Sequence, residues 1–162
     1  MKVIETYLNI IHFCFYKAHY KMHLLANKIN PFHLIHKLPF QRRRYEKLGI
    51  DIYKEIDRAA GDKEFGVSTI AAGGILWGGV GFLFLSFLLL FNLIVYGTML
   101  HVIIVSALSG IVCYFFVFRN DKYLAYFDKY EKWSKAEKRK YSWLTFASVV
   151  AVLLLFYIGL TT

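Results

Sequence analysis

His19 and His23 are the residues of this chain whose types and spacing come closest to a chemical site. On a helix, positions i and i+4 share a face, and two imidazoles there can share a metal ion if a carboxylate or another donor completes the set. Glu5, Asn9 and His12 lie on the same side. At 100° per residue, Glu5, Asn9, His12, Tyr16, His19, His23 and Asn27 fall within one narrow arc. Glu5 to His23 is about 27 Å of helix, so no single ion can use them all. Only His19 and His23 are close enough, and further ligands would have to come from elsewhere in the fold. The stripe therefore reads first as polar packing or an interface. Metal or haem ligation through His12, His19 or His23 is the weaker alternative, and no cofactor is expected.

Other chemistry finds less support. Ser86, Ser106 and Ser109 lie in apolar sequence with no base beside them, so no nucleophile is assembled. Gly73-Gly74 and Gly78-Gly79 are not phosphate loops, because no lysine follows and they sit in an apolar helix. Cys14 and Cys113 are far apart and read as small buried apolar residues rather than a disulfide framework. Enzyme activity is not expected of the chain.

The elements that carry these residues follow from one long apolar stretch. From Gly66 to Phe118, fifty-three residues pass without an Asp, Glu, Lys or Arg. One helix of that length would measure about 80 Å against a bilayer core of about 30 Å, so the stretch must fold back as a membrane hairpin. Its turn is expected at Tyr96-Gly97-Thr98. A third run, Tyr141 to Leu160, is also free of charge and just long enough to span. With 57% hydrophobic residues, the chain reads as an all-α integral membrane protein with three transmembrane helices. Its parts are interfacial or cytoplasmic amphipathic helices over 1–65, the hairpin over 66–118, a basic aromatic helix over 119–140 and the third span over 141–160.

The net charge of +9 sets the expected orientation. Seven Lys and Arg lie between Arg42 and Lys63, and eight between Arg119 and Lys140, whereas the hairpin turn and the C-terminal tail carry none. Three spans with the N-terminus inside and the C-terminus outside place every basic residue on the cytoplasmic face. The basic layer is expected to meet anionic lipid of that leaflet, and no motif supports nucleic acid as the partner. Glu5 and His12 interrupt the first apolar run and no small-residue cleavage site follows, so no signal peptide is read. Richness in Lys, Tyr, Phe and Ile suggests an AT-rich bacterial genome, hence the bacterial inner membrane.

Lys2 to about Asn30 contains no Gly or Pro and predicts one helix, closed by Asn30-Pro31. Its stripe is expected to face water or a neighbour while the apolar body meets lipid or the spans. A basic elbow with His33 and His36 follows, then a second amphipathic helix over Gln41 to Ala60. No Gly or Pro interrupts Arg119 to Lys140, so the second span is expected to continue as a helix. There Tyr123, Tyr126, Phe127, Tyr130 and Trp133 form an aromatic stripe. It would dock on the Tyr45 to Ile56 face, on a partner or in the lipid interface.

Small residues mark the expected helix contacts. Ala71, Gly74, Gly78 and Gly81 share one face of the first span, Ser106 and Gly110 one face of the second, and Ala147 and Ala151 one face of the third. These faces could pack the spans of one subunit together or join subunits. The leading expectation is a non-enzymatic subunit of an oligomeric or multi-protein membrane assembly, acting by helix packing and cytoplasmic partner binding. The alternative is a homo-oligomeric pore, a defence or toxin effector, with the Glu5 and His stripe lining a vestibule.

Overall fold

The computed structural model describes residues 2–31, 33–36, 38–94 and 98–161. All regular structure among them is helical: α1 (Lys2–Ile29), α2 (His33–His36), α3 (Pro39–Leu48), α4 (Ile52–Gly61), α5 (Val67–Leu90), α6 (Met99–Cys113), α7 (Lys122–Glu131) and α8 (Lys135–Thr161). Three helical stretches are long and apolar enough to cross a membrane: Val67–Leu90, Met99–Glu131 and Lys135–Thr161. The chain is accordingly a multi-pass membrane protein. It divides into two compact units, Met1–Phe15 with Ala72–Thr162, and Tyr16–Ala71.

The larger unit holds the bulk of the three apolar helices. Just beyond the end of α5, Asn92 takes a left-handed conformation (φ 52°) and returns its N–H to the Leu89 carbonyl at 2.9 Å. The expected turn residues Tyr96 and Gly97 lie outside the described residues. Thr98 is described and begins α6. Its hydroxyl lies 2.6 Å from His101 Nδ1, so His101 serves the helix cap. At this same end of the hairpin, Gly159 lets α8 come close to α5. A Cβ there would stand 2.9 Å from Leu89 Cβ and 3.3 Å from the Ser86 carbonyl. Hydroxyls inside the apolar helices are satisfied along their own helix, Ser86 to the Phe82 carbonyl and Ser109 to the Val105 carbonyl.

The expected continuous helix after Phe118 is broken. A π turn, Tyr114–Phe118, leads into a short 3-10 turn, and Asn120 and Asp121 both adopt left-handed conformations (φ 57° and 51°) before α7 starts. A second break at Lys132 to Ser134 separates α7 from α8, where Glu137 reaches back to the Ser134 amide and hydroxyl, each at 2.8 Å. Asn and Asp tolerate left-handed backbone because their short polar side chains hydrogen-bond locally, so the first break needs no glycine.

In the smaller unit the expected Gln41 to Ala60 helix is likewise two helices. Gly49 (φ 63°) closes α3, and Asp51 caps α4 by accepting from the Tyr53 and Lys54 amides at 3.2 and 3.3 Å. Those amides hold the Asp51 carboxyl below its usual range, the Lys54 contact first. Tyr16 donates to the Gly61 carbonyl at 2.6 Å, and the Tyr20 ring covers Gly61 so closely that a Cβ would meet it at 2.6 Å.

Left-handed backbone at a residue with a side chain costs of order 1 kcal/mol, which glycine avoids. Asn120→Gly should therefore keep or raise the thermal midpoint followed by circular dichroism in detergent. Asn120→Ile should lower it. The reverse order would mean that Asn120 is held by its side chain rather than tolerated in that conformation.

Candidate functional site

The polar stripe of α1 is turned inward. In the larger unit Asn9 and His12 are fully buried, whereas Val3 and Ile4 on the opposite side are 81% and 53% exposed. The expectation that the stripe faces water or a neighbour is corrected over this part of the helix. The polar side is packed, and the apolar Ile10 and Phe13 are buried with it.

What the stripe packs on is the kinked end of the second span. A π turn followed by left-handed residues leaves carbonyls of the last turn without intrahelical donors. Asn9 Nδ2 donates to a carbonyl of the π turn, Phe116 O, at 3.0 Å, and to the Glu5 carbonyl at 2.8 Å. Glu5 receives Lys122 Nζ at 3.0 Å and the Tyr126 hydroxyl at 3.2 Å. The Lys122 contact is the largest influence holding the Glu5 carboxyl below its usual value, against a partial burial that pushes it up. His12 sits among Phe127, Phe118 and Tyr123, with ring centroids 5.0, 5.5 and 5.5 Å away. Gly73 of α5 closes the cage, since a Cβ there would lie 3.1 Å from Phe118 and 3.8 Å from His12 Nε2.

The aromatic stripe thus docks on α1, a surface that was not among the three expected for it. Tyr123, Phe127 and Tyr130 are buried. Phe13 meets Phe127, Tyr130 and Trp133 at 5.4, 5.6 and 6.1 Å, edge to face. Tyr130 also donates to the Thr6 carbonyl at 3.3 Å. Trp133 bridges the second break, lying 4.1 Å from Tyr130 and stacked 4.3 Å from Tyr141 at the start of α8. Further along α1, Tyr7 hydrogen-bonds Ser148 of α8.

His19 and His23, in the smaller unit, take separate partners. His19 Nδ1 lies 3.1 Å from Ser68 Oγ, and His23 Nε2 lies 3.5 Å from Asp57, which also accepts from Asn27 at 2.9 Å. No group of three or more His, Cys, Asp or Glu is poised to hold a metal ion among the described residues. The arrangement can tie helices together, and no nucleophile with an adjacent base is formed at the stripe.

The small residues fall into two kinds. At Gly81 a Cβ would meet Ser109 Oγ at 3.3 Å, and at Gly110 the Trp77 indole at 3.5 Å, so these two pack α5 on α6. Trp77 Nε1 donates to the Ser106 carbonyl at 2.8 Å across the same seam. At Gly74 and Gly78, and at Gly79 beside them, a Cβ would meet nothing within 4 Å. Ala71 is half-buried, and Ala147 and Ala151 are exposed. Gly74 and Gly78 border an open groove of about 360 Å³ between α5 and α6, floored by Trp77, Gly81, Val105 and Ser106.

Spacing alone did not mark Lys122, Phe118, Gly73, Trp77 or Gly159 as packing residues. The Lys122 pairing joins positions more than a hundred residues apart, and no local pattern carries it. Comparison with family models, with curated proteins and with solved structures gives no match for this chain.

Glu5 is ionised with a lowered pKa, so the stability it contributes is complete above the ordinary glutamate value of 4.5 and is lost as pH falls through its lower folded value. Protection of the α7 amides, measured against their intrinsic exchange rate at each pH, should fall below pH 4.5 in the wild type, and Glu5→Gln should flatten that part of the profile. An acid profile in Glu5→Gln identical to wild type would place the pH sensitivity elsewhere.

Proposed function

We propose that the chain is a non-enzymatic subunit of an oligomeric or multi-protein assembly in a membrane, with the N-terminus and the basic layer inside and the C-terminus outside. One observation carries this reading: Gly74 and Gly78 lie on one face of a spanning helix, open and unpacked, beside an open apolar groove. Glycine within a helix costs roughly 1 kcal/mol relative to alanine. In lipid the compensation for such residues is close approach of a second helix, because hydrophobicity gives no drive between helices there. The glycines that pack within the subunit, Gly81 and Gly110, already have their neighbours. Those at 74 and 78 await one.

The orientation rests on the placement of seven basic residues between Arg42 and Lys63, ahead of the first span, and eight between the second and third. A bacterial inner membrane fits that asymmetry and the composition. Cytoplasmic contact with a partner would fall to α3, which buries none of its residues and carries Arg42, Arg43 and Arg44. The pore alternative retains charge-free spans, but Glu5 and His12, which were to line its vestibule, are engaged with Lys122 and the α7 aromatics. Loss of membrane potential on overexpression would revive it.

Forcing a leucine into a close helix contact costs about 1–3 kcal/mol, about fivefold to 150-fold in association. Gly74→Leu and Gly78→Leu should lower the mass measured by light scattering in mild detergent, or release co-purifying partners, while helical content is unchanged. Gly79→Leu, an open glycine off the Gly74 and Gly78 face, should have a smaller effect. Unchanged mass and partners in both test variants would refute the reading.

A further inference from the structure

The first turns of α8 carry a second groove, of about 300 Å³, lined by Arg139, Ser142, Trp143 and Phe146. We propose that these four residues form a binding site for the head group of an anionic phospholipid. The inference rests on α8 being a membrane span, as in the proposed function.

Spacing of three, four and seven residues from Arg139 places all four side chains on one face of the helix. Arg139 and Lys140 are the last charges before the apolar run from Tyr141 to Leu160, so the groove stands at the depth where head groups lie. Its chemistry is graded along the helix axis. Arg139 is exposed and makes no ion pair among the described residues. Its neighbours one turn away are Lys135, Ala136, Ser142 and Trp143, none of them acidic. The nearest carboxylate in sequence, Glu137, is engaged by Ser134. Lys138 is bound to the Glu131 carbonyl at 2.7 Å, and Lys140 lies over the Tyr141 ring.

A guanidinium presents paired N–H donors that match two oxygens of a phosphate. Ser142, exposed, lies one turn deeper as a second polar contact. Trp143 is 62% exposed, and an indole is favoured at the level of the lipid ester carbonyls. Phe146, 59% exposed, lies about one turn deeper, beside the first methylenes of an acyl chain. A free phosphate would use Arg139 and Ser142 and leave the two rings idle. A lipid uses all four.

The test is native mass spectrometry of the full chain in mild detergent, titrated with dioleoylphosphatidylglycerol or dioleoylphosphatidylcholine. Wild type should retain the anionic lipid preferentially. Arg139→Gln should weaken that retention roughly fivefold, the factor that one juxtamembrane cation is worth at an anionic surface. Trp143→Ala should weaken retention of both lipids, and Lys135→Gln, equally charged but outside the groove, should change little. No preference in wild type, or an equal loss in Lys135→Gln, overturns the site, and displacement of the lipid by millimolar inorganic phosphate would reassign it to phosphate alone. Alkaline carbonate extraction separates the two levels. A chain that remains in the membrane without preferring the anionic lipid refutes only the site, whereas one that is extracted refutes the membrane reading as well.

Discussion

A spanning helix that must turn at the edge of a bilayer frees backbone carbonyls at the place where water is scarce, and those carbonyls need donors from within the chain. Here the turn is the π segment Tyr114–Phe118 followed by left-handed Asn120 and Asp121, and the donor is Asn9. That contact fixes the depth of α1 against the end of the second span. Glu5, one turn back, then meets Lys122 just beyond the kink, and His12, one turn on, enters the cage of Phe118, Tyr123 and Phe127. Without the kink, α7 would project away in the direction of α6, and the aromatic stripe would have no helix to lie on.

The burial of the polar side of α1 follows from the same contacts. Asn9 and His12 are fully enclosed and Glu5 is half-buried, because the chain supplies hydrogen-bond partners and aromatic rings on that side. Apolar Ile10 and Phe13 are buried beside them, so the middle of the helix is packed through polar and apolar residues alike, whereas Val3, Ile4, Met22, Leu25 and Ile29 are exposed toward its two ends.

Much of the architecture was legible because it depends on local pattern. Fifty-three residues without a charge can only be a hairpin in a membrane, and a run without Gly or Pro up to Asn30-Pro31 gave α1 nearly to the residue. The breaks were less visible. Gly49 followed by Asp51 is an ordinary stop and cap that the charge pattern on either side obscured, and Asn120-Asp121 breaks a helix with residues that also occur inside helices. The facing of the stripe was not legible at all. Periodicity reports that two sides differ, while the choice of side belongs to long-range partners such as Lys122 and Phe116, which periodicity does not contain.

The glycines separate in the same way, and the separation bears on assembly. A motif of small residues is silent on which neighbour it serves. Coordinates divide it: Gly73 admits Phe118, Gly81 admits Ser109, Gly110 admits the Trp77 indole and Gly159 admits the end of α5, all within the unit that contains them. Each of these trades the conformational cost of glycine for contact that a side chain would prevent. Gly74 and Gly78 carry the same cost with no contact in return. Neither forms a turn or adopts a left-handed conformation, so backbone geometry does not account for them. A helix from outside the subunit is the neighbour that would supply the missing contact. It would lie against α5 on the side where the α5–α6 groove opens, with Trp77, already held by the Ser106 carbonyl, as a rigid wall beside it.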